Sequence, residues 1–219
     1  MSLEWSVIWE YRYAFGSGVL LTIFLTVVTM LISVPAGIAL AVAQFYSGPI
    51  LRIIIRGFVE FFRCTPLILL LYWAFYVLPV MTAFSFSALT TALVGLCLNV
   101  SSYNSETFRA GITSIRRGQS DAALALGMTE WQSMRRIVLP QAIIRVMPIL
   151  ASTWVSLFKN TSLVSVISLS DLAYTALSIR MQTFRVLEVL TAMAVLYWLL
   201  GYPQAKLVDW IYRRWGTKE

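Results

Sequence analysis

The chain predicts an all-α integral membrane protein with five transmembrane helices, N-terminus out and C-terminus in. Three observations carry that reading. Hydrophobic residues make up 59% of the 219 and charged residues only 12%, against about 45–50% and about 25% in ordinary globular domains. Two stretches carry no charge at all, the 39 residues between Arg12 and Arg52 and the 42 between Arg63 and Glu106. The basic residues gather in alternate connections rather than evenly along the chain.

Composition also excludes function classes. There is no histidine, which removes Ser-His-Asp and Cys-His triads and the usual zinc sites. The two cysteines, Cys64 and Cys97, lie in apolar runs and imply no disulfide scaffold. A net charge of +7 would suggest nucleic acid in a soluble chain. Here the positions of the basic residues point to membrane topology, and no nucleic-acid partner is expected.

A helix needs roughly 20 apolar residues to cross a bilayer. The first uncharged stretch therefore holds one span, about residues 18–44, after an extracytoplasmic segment over 1–16. That run is too long, and its flank too acidic with Glu4 and Glu10, for a cleaved signal peptide. The second stretch holds two spans, about 58–78 and 86–108, parted by Leu78-Pro79 and a loop-like Thr82 to Ser87. Pro66 would kink the former span or break its backbone ladder. A fourth span, about 140–158, contains Pro148 and Arg145, which could snorkel to the interface. Leu163 to Leu169 is too short to cross and reads as a re-entrant or interfacial helix. A fifth span covers about 186–205, with Tyr197, Trp198 and Tyr202 as an interfacial belt. A tail over 209–219 follows.

Charge sets the orientation. With the N-terminus outside, the inner segments carry Arg52, Arg56, Arg63, Arg109, Arg116, Arg117, Arg135, Arg136, Lys206, Arg213, Arg214 and Lys218. Outside lie only Arg12, Lys159, Arg180 and Arg185. Basic residues favour the cytoplasmic side, so the bias supports N-out and C-in.

The longest inner loop, residues 109–139, has its own chemistry. Ser120 is a plausible N-cap, with Asp121 complementing the first-turn dipole. Ala122 to Leu126 favour helix, and Gly127 suits a left-handed stop. Thr129 and Gln132 fit a capping box for a second short helix running to Leu139. Pro140 then opens the fourth span. Gly127, Trp131, Met134 and Val138 share one face by the helical period. That face either docks a soluble partner or packs on the protein's own spans.

Asp121-Ala122-Ala123, Gly127, Ile137 and Leu139-Pro140 reproduce every spacing of Glu-Ala-Ala-x3-Gly-x9-Ile-x-Leu-Pro, with Asp for Glu as the one departure. This resembles the loop by which membrane subunits of bacterial ABC importers meet their ATPase. Phe62-Arg63-Cys64-Thr65-Pro66, Arg109-Ala110-Gly111-Ile112, Ile115-Arg116-Arg117-Gly118-Gln119 and Lys159-Asn160-Thr161-Ser162-Leu163-Val164 resemble the polar amino acid branch of that family. The resemblance implies a five-span permease of the type I importer kind, its permease domain over 17–208, in the bacterial cytoplasmic membrane. It implies two cytoplasmic ATP-binding subunits, an identical or homologous second permease, and an extracytoplasmic substrate-binding protein. Asp121, Ala122, Ala123, Gly127, Trp131, Ile137, Leu139 and Pro140 would make the contact with the ATP-binding subunit.

No phosphate-cradling Gly-x4-Gly-Lys-Ser/Thr loop occurs. ATP and Mg are therefore expected on a partner chain, with no cofactor and no enzymatic site on this one. Polar side chains inside a span either glue helices together or line a pathway. Asn99, Ser102 and Asn104 in the third span, and Lys159, Asn160, Thr161 and Ser162 after the fourth, are the candidates for an amino acid pathway. Glu106 either pairs with Arg109 three residues on or takes part in gating. The function expected is ATP-driven uptake of a polar amino acid. The alternative is a secondary transporter driven by an ion gradient.

Overall fold

The computed structural model describes residues 4–215, and every regular element among them is helical. A short helix α1 (Ser6–Glu10) leads into α2 (Arg12–Tyr46), which is longer at both ends than the span read from sequence. Helix α3 (Pro49–Cys64) follows, then α4 (Leu67–Tyr72), a π turn (Trp73–Val77) and α5 (Leu78–Thr82). Helix α6 (Ala88–Thr113) leads to α7 (Arg117–Ala125) and α8 (Glu130–Ser133). A second π turn (Met134–Val138) joins α8 to α9 (Leu139–Asn160). A 3-10 segment (Thr161–Ile167), α10 (Leu172–Thr183) and α11 (Val186–Trp215) complete the fold.

Arg12–Tyr46, Glu130–Ile167 and Val186–Arg214 are each long and apolar enough to cross a bilayer. Pro49–Cys64 and Leu67–Thr82 qualify only as a bent pair, at 102° to one another. The single helix expected over 58–78 is therefore wrong. Pro66 has no N–H for the carbonyl of Phe62, and the residue before a proline avoids the helical region. Thr65 is accordingly extended (φ −87°, ψ 129°). Helix α6 takes over the repair: Asn99 Nδ2 donates to Phe62 O at 2.8 Å, and the Tyr103 hydroxyl donates to Arg63 O at 3.1 Å. Carbonyls freed within a membrane must find such partners.

Helices α2 and α6 form the closest pair. The buried face of α2 repeats small residues, from Gly18 through Thr22, Thr26, Thr29, Ser33 and Gly37 to Ala41. Small residues let two backbones approach. A Cβ on Gly37 would stand 2.6 Å from Asn104 Cβ and 3.1 Å from its backbone. Polar side chains bind across the same seam, Ser33 to Cys97 O at 3.3 Å and Gln44 to Ser105 at 3.2 Å.

Three apolar clusters fill the molecule. Leu25, Leu67, Leu71, Leu96, Leu157 and Ile167 tie α2, α4, α6, α9 and the 3-10 segment together. Val7, Phe15, Leu172, Ile179 and Val189 join α1, α2, α10 and α11 at the end bearing the N-terminus. Phe108, Ile112, Met134, Val138 and Val146 close the opposite end.

Two further local expectations change. Ser120 is not an N-cap: α7 begins at Arg117, after an extended Arg116 (ψ 130°), so Ser120 lies inside the helix. The second short helix does not stop at Leu139. It runs through the π turn into α9 without a break, with Leu139 N donating to Met134 O and Pro140 in the first turn of α9. The short helix expected over 163–169 is the 3-10 segment Thr161–Ile167, ended by Ser168 at φ 58°. Helix α10 was not foreseen; Asp171 caps it, its carboxylate accepting from Tyr174 N at 2.8 Å.

Candidate functional site

Two regions hold the residues singled out from sequence. The first is the reversal between α6 and α9. Gly127 has φ +80°, the left-handed conformation expected of it, and its Cβ would meet nothing within 4 Å. The turn closes with Gly127 N to Leu124 O at 2.9 Å and Met128 N to Ala123 O at 3.1 Å. The capping box is complete: Gln132 N donates to Thr129 Oγ1 at 3.2 Å, and Thr129 N to Gln132 Oε1 at 2.9 Å.

The shared face read from the helical period divides. Met134 and Val138 are buried against Phe108, Ile112, Ala142 and Val146. Trp131 is 52% exposed, and its ring stands edge-on to Tyr46 at 5.6 Å. The Tyr46 hydroxyl donates to Glu130 O at 3.0 Å, so the end of α2 holds the start of α8. Asp121, Ala122 and Pro140 are exposed, Ala123 is buried, and Ile137 and Leu139 are half-buried. Leu126 is 84% exposed. The tip thus presents Leu124, Leu126, Asp121 and Trp131 outward on a turn whose base is packed into the bundle. Arg145 does not snorkel freely: its guanidinium donates to Ser114 O at 2.6 Å and tethers the end of α6 to α9. Glu106 pairs with Arg109 at 2.7 Å, the helix-end partnership its spacing allowed.

The second region is a groove of about 600 Å³ between α6, α9 and the broken end of α3. Its polar lining comes from Asn99, Tyr103 and Thr107 on α6, from Ser152, Thr153, Ser156 and Asn160 on α9, and from Arg63 and Thr65. Each helix contributes a polar stripe at four-residue spacing, so the stripes face one another along the groove. Arg63 pairs with Glu60 at 3.2 Å, and its guanidinium lies 5.7 Å from the centre of the Tyr103 ring. Its Nε is buried with no hydrogen-bond partner.

The seven pathway candidates from sequence separate. Asn99 and Asn160 line this groove. Ser102 and Asn104 are fully buried, Ser102 bonding Leu98 O at 2.9 Å and Asn104 packed against Gly37. Thr161 is buried and bonds Phe158 O at 2.8 Å. Lys159 and Ser162 line a different groove, between α9, α10 and α11. Arg63, Tyr103, Ser152 and Ser156 were not among the pathway candidates. The spacing of Asn99 with Tyr103 and Thr107, and of Ser152 with Ser156 and Asn160, was the signal for them.

The chain matches the family described as "Binding-protein-dependent transport system inner membrane component" over residues 33–217. It is 35% identical to the glutamate/aspartate import permease protein GltK of Escherichia coli O6:H1, over 96% of this chain and 97% of that one. It is 29% identical to the glutamine transport system permease protein GlnP of Escherichia coli K12, over 98% of each. Among solved structures it superposes on a chain of an amino acid ABC transporter crystallised with histidines, with a TM-score of 0.89 and 30% identity, over 98% of this chain and 100% of that one. A chain of the MetNI methionine transporter shares the fold at a TM-score of 0.73 and 20% identity, over 92% of this chain and 98% of that one. The all-helical architecture is that of a type I ABC importer permease. A capped, glycine-turned loop at one end of such a bundle, the motif spacings and these matches agree, and the chain belongs to the binding-protein-dependent transport inner membrane component family of ABC importers.

Proposed function

We propose that this chain is the permease subunit of an importer for a polar amino acid, and that the amino acid passes along the groove between α6 and α9. One observation carries the assignment to the groove: two polar stripes face each other across an open groove, with a guanidinium at one edge. An amino acid brings a carboxylate and an ammonium. Arg63 supplies the cation for the carboxylate, a pairing that planar donors favour. The free Oδ1 of Asn99, the Ser156 hydroxyl and the Asn160 amide supply acceptors for the ammonium. The relatives named for glutamate/aspartate and glutamine import support the substrate class.

The membrane is crossed five times, by α2, by the limb Leu67–Thr82, by α6, by α9 and by α11, with the N-terminus outside. Helix α6 carries more polar residues than the other crossings because its polar faces lie against α2 and the groove. Two ATP-binding subunits dock on the inner face, and a second permease completes the assembly. A binding protein delivers substrate from outside, at the bacterial cytoplasmic membrane. Asp121, Ala122, Gly127 and Trp131 touch the ATP-binding subunit. Ala123, Ile137, Leu139 and Pro140 act behind them by holding the turn on α9. ATP and Mg are bound by that partner. Nucleotide-driven closure then shifts the populations of inward-open and outward-open forms.

The test is uptake of labelled amino acids into vesicles carrying the assembled transporter. Ser156→Ala and Asn160→Ala are expected to raise KM about ten-fold, the effect of losing one hydrogen bond to a charged group, with ATP hydrolysis retained. Unchanged KM in both would remove the groove from the pathway. Uptake driven by an ion gradient with no ATP-binding subunit present would remove the importer itself.

A further inference from the structure

Among the described residues, the groove between α6 and α9 is lined by one charged side chain, Arg63. Its charge is already balanced. Glu60, one turn back on α3, pairs with Arg63 Nη1 at 3.2 Å, and on α6 Glu106 pairs with Arg109 at 2.7 Å. The two pairs lie close together: Arg63 acts on the charge of Glu106, and Glu60 on that of Arg109. The four charges sum to zero. Other nearby cations are turned elsewhere. Arg56 is exposed, one turn further from the groove along α3. Arg145 is held by Ser114, and Lys159 lines the separate groove between α9, α10 and α11.

The hydroxyls of the groove are set in one sense. Tyr103 donates to Arg63 O at 3.1 Å, Thr107 to Tyr103 O at 3.1 Å, and Thr153 to Ile149 O at 3.0 Å. Each hydroxyl has a single hydrogen, so what it can still offer a ligand is a lone pair. Acceptors of this kind suit a side chain that donates. A carboxylate side chain only accepts. It would meet these lone pairs with no unpaired cation to hold it, at the cost of burying a charge. An ammonium or guanidinium side chain donates, but brings a charge that no unpaired carboxylate answers, since Glu60 and Glu106 both have partners. A carboxamide donates through its NH2 and adds no charge.

We infer that the groove selects amino acids with an uncharged, hydrogen-bond-donating side chain, glutamine and asparagine first, and that Glu60 is a specificity-determining residue because it holds the site at zero net charge. The inference rests on the groove being the pathway, and adds the class of side chain carried and the residue that sets it.

Cys64 supplies the readout for the test. It is exposed and lines the groove, whereas Cys97 is half-buried and does not. The assembled transporter, in detergent and without binding protein, is treated with N-ethylmaleimide. Alkylation of Cys64 is followed by mass spectrometry against amino acid concentration. Leaving out the binding protein makes the measured preference that of the membrane subunits. Glutamine is expected to protect Cys64 at concentrations about ten-fold below those needed of glutamate or arginine, the effect of one unanswered charge in a partly solvated groove. Glu60→Gln leaves Arg63 unneutralised and is expected to bring glutamate level with glutamine. Glu60→Asp keeps the charge and the original order. Each protein is read as a ratio between amino acids, so any change in the intrinsic reactivity of Cys64, whose Sγ lies 3.6 Å from Glu60 Oε2, cancels. Equal protection by glutamine and glutamate or arginine in the parent, or an order unmoved by Glu60→Gln, would overturn the inference and leave the pathway standing. Protection by no amino acid would overturn both.

Discussion

At the scale of single residues, the fold depends on polar groups that stand in for missing backbone bonds. Pro66 removes the donor for Phe62 O, and Asn99 supplies another from a different helix. Asn99→Leu keeps the volume and leaves that carbonyl unsatisfied, so it is expected to cost about 1–3 kcal/mol, read as a lower Tm in detergent. Asp171 makes a second such bond as the cap of α10, in the connection between the fourth and fifth spans. Burial raises its carboxyl from 3.8 to about 6. Between those values the folded state holds the proton more tightly than the unfolded chain, so stability falls as pH rises through that window. Asp171→Asn retains an acceptor for Tyr174 N and removes the charge. Its Tm is therefore expected to match that of the parent below about pH 4 and to exceed it increasingly up to about pH 6, with a constant difference above.

At the scale of elements, what was legible in the sequence was what a few consecutive residues decide. The Thr129–Gln132 capping box and the Gly127 turn need only their own neighbours, and both stand as read. The prolines were not legible in this way. Pro35, Pro148 and Pro203 sit inside helices that continue through them, whereas Pro66 separates two helices bent by 102°. The difference is tertiary: the carbonyls at the Pro66 break meet Asn99 and Tyr103, which lie more than thirty positions away. The polar run of α6 divides for the same reason. Its residues were visible, but Asn104 faces α2 and Asn99 the groove only because Gly37 lets α2 approach on one side. Gly37→Leu forces a side chain into that seam, where even a Cβ would stand only 2.6 Å from Asn104 Cβ. Overpacking of this kind costs about 1–3 kcal/mol, and a lowered Tm with weakened cross-linking between α2 and α6 is the expected readout.

At the scale of the whole molecule, the proposed coupling role asks the loop end of the bundle to transmit force. The turn at Gly127 is held from three sides, by Tyr46 on Glu130 O, by Arg145 on Ser114, and by Met134 and Val138 in the core. A pull on the tip is therefore felt by α2, α6 and α9 together. Gly127→Val meets no neighbour but forces a β-branched residue to a positive φ, at a cost of about 1–2 kcal/mol. The expected outcome is a folded protein with reduced ATP-driven uptake, measured beside its Tm to separate the two effects. Family membership was legible from the spacing of the Asp121-to-Pro140 motif, which fixes residue types at fixed intervals within one loop. The bend in the second crossing was not, since a break whose carbonyls are satisfied by a distant helix escapes any rule based on runs of apolar residues.

The most direct measurement is a site-specific cross-link from the tip. Leu126→Cys, on a residue 84% exposed, is introduced into the assembled transporter and treated with a thiol cross-linker. The account predicts a covalent product with the ATP-binding subunit, together with protection of this cysteine from impermeant maleimide applied outside intact cells. Labelling from outside with no such product would contradict it.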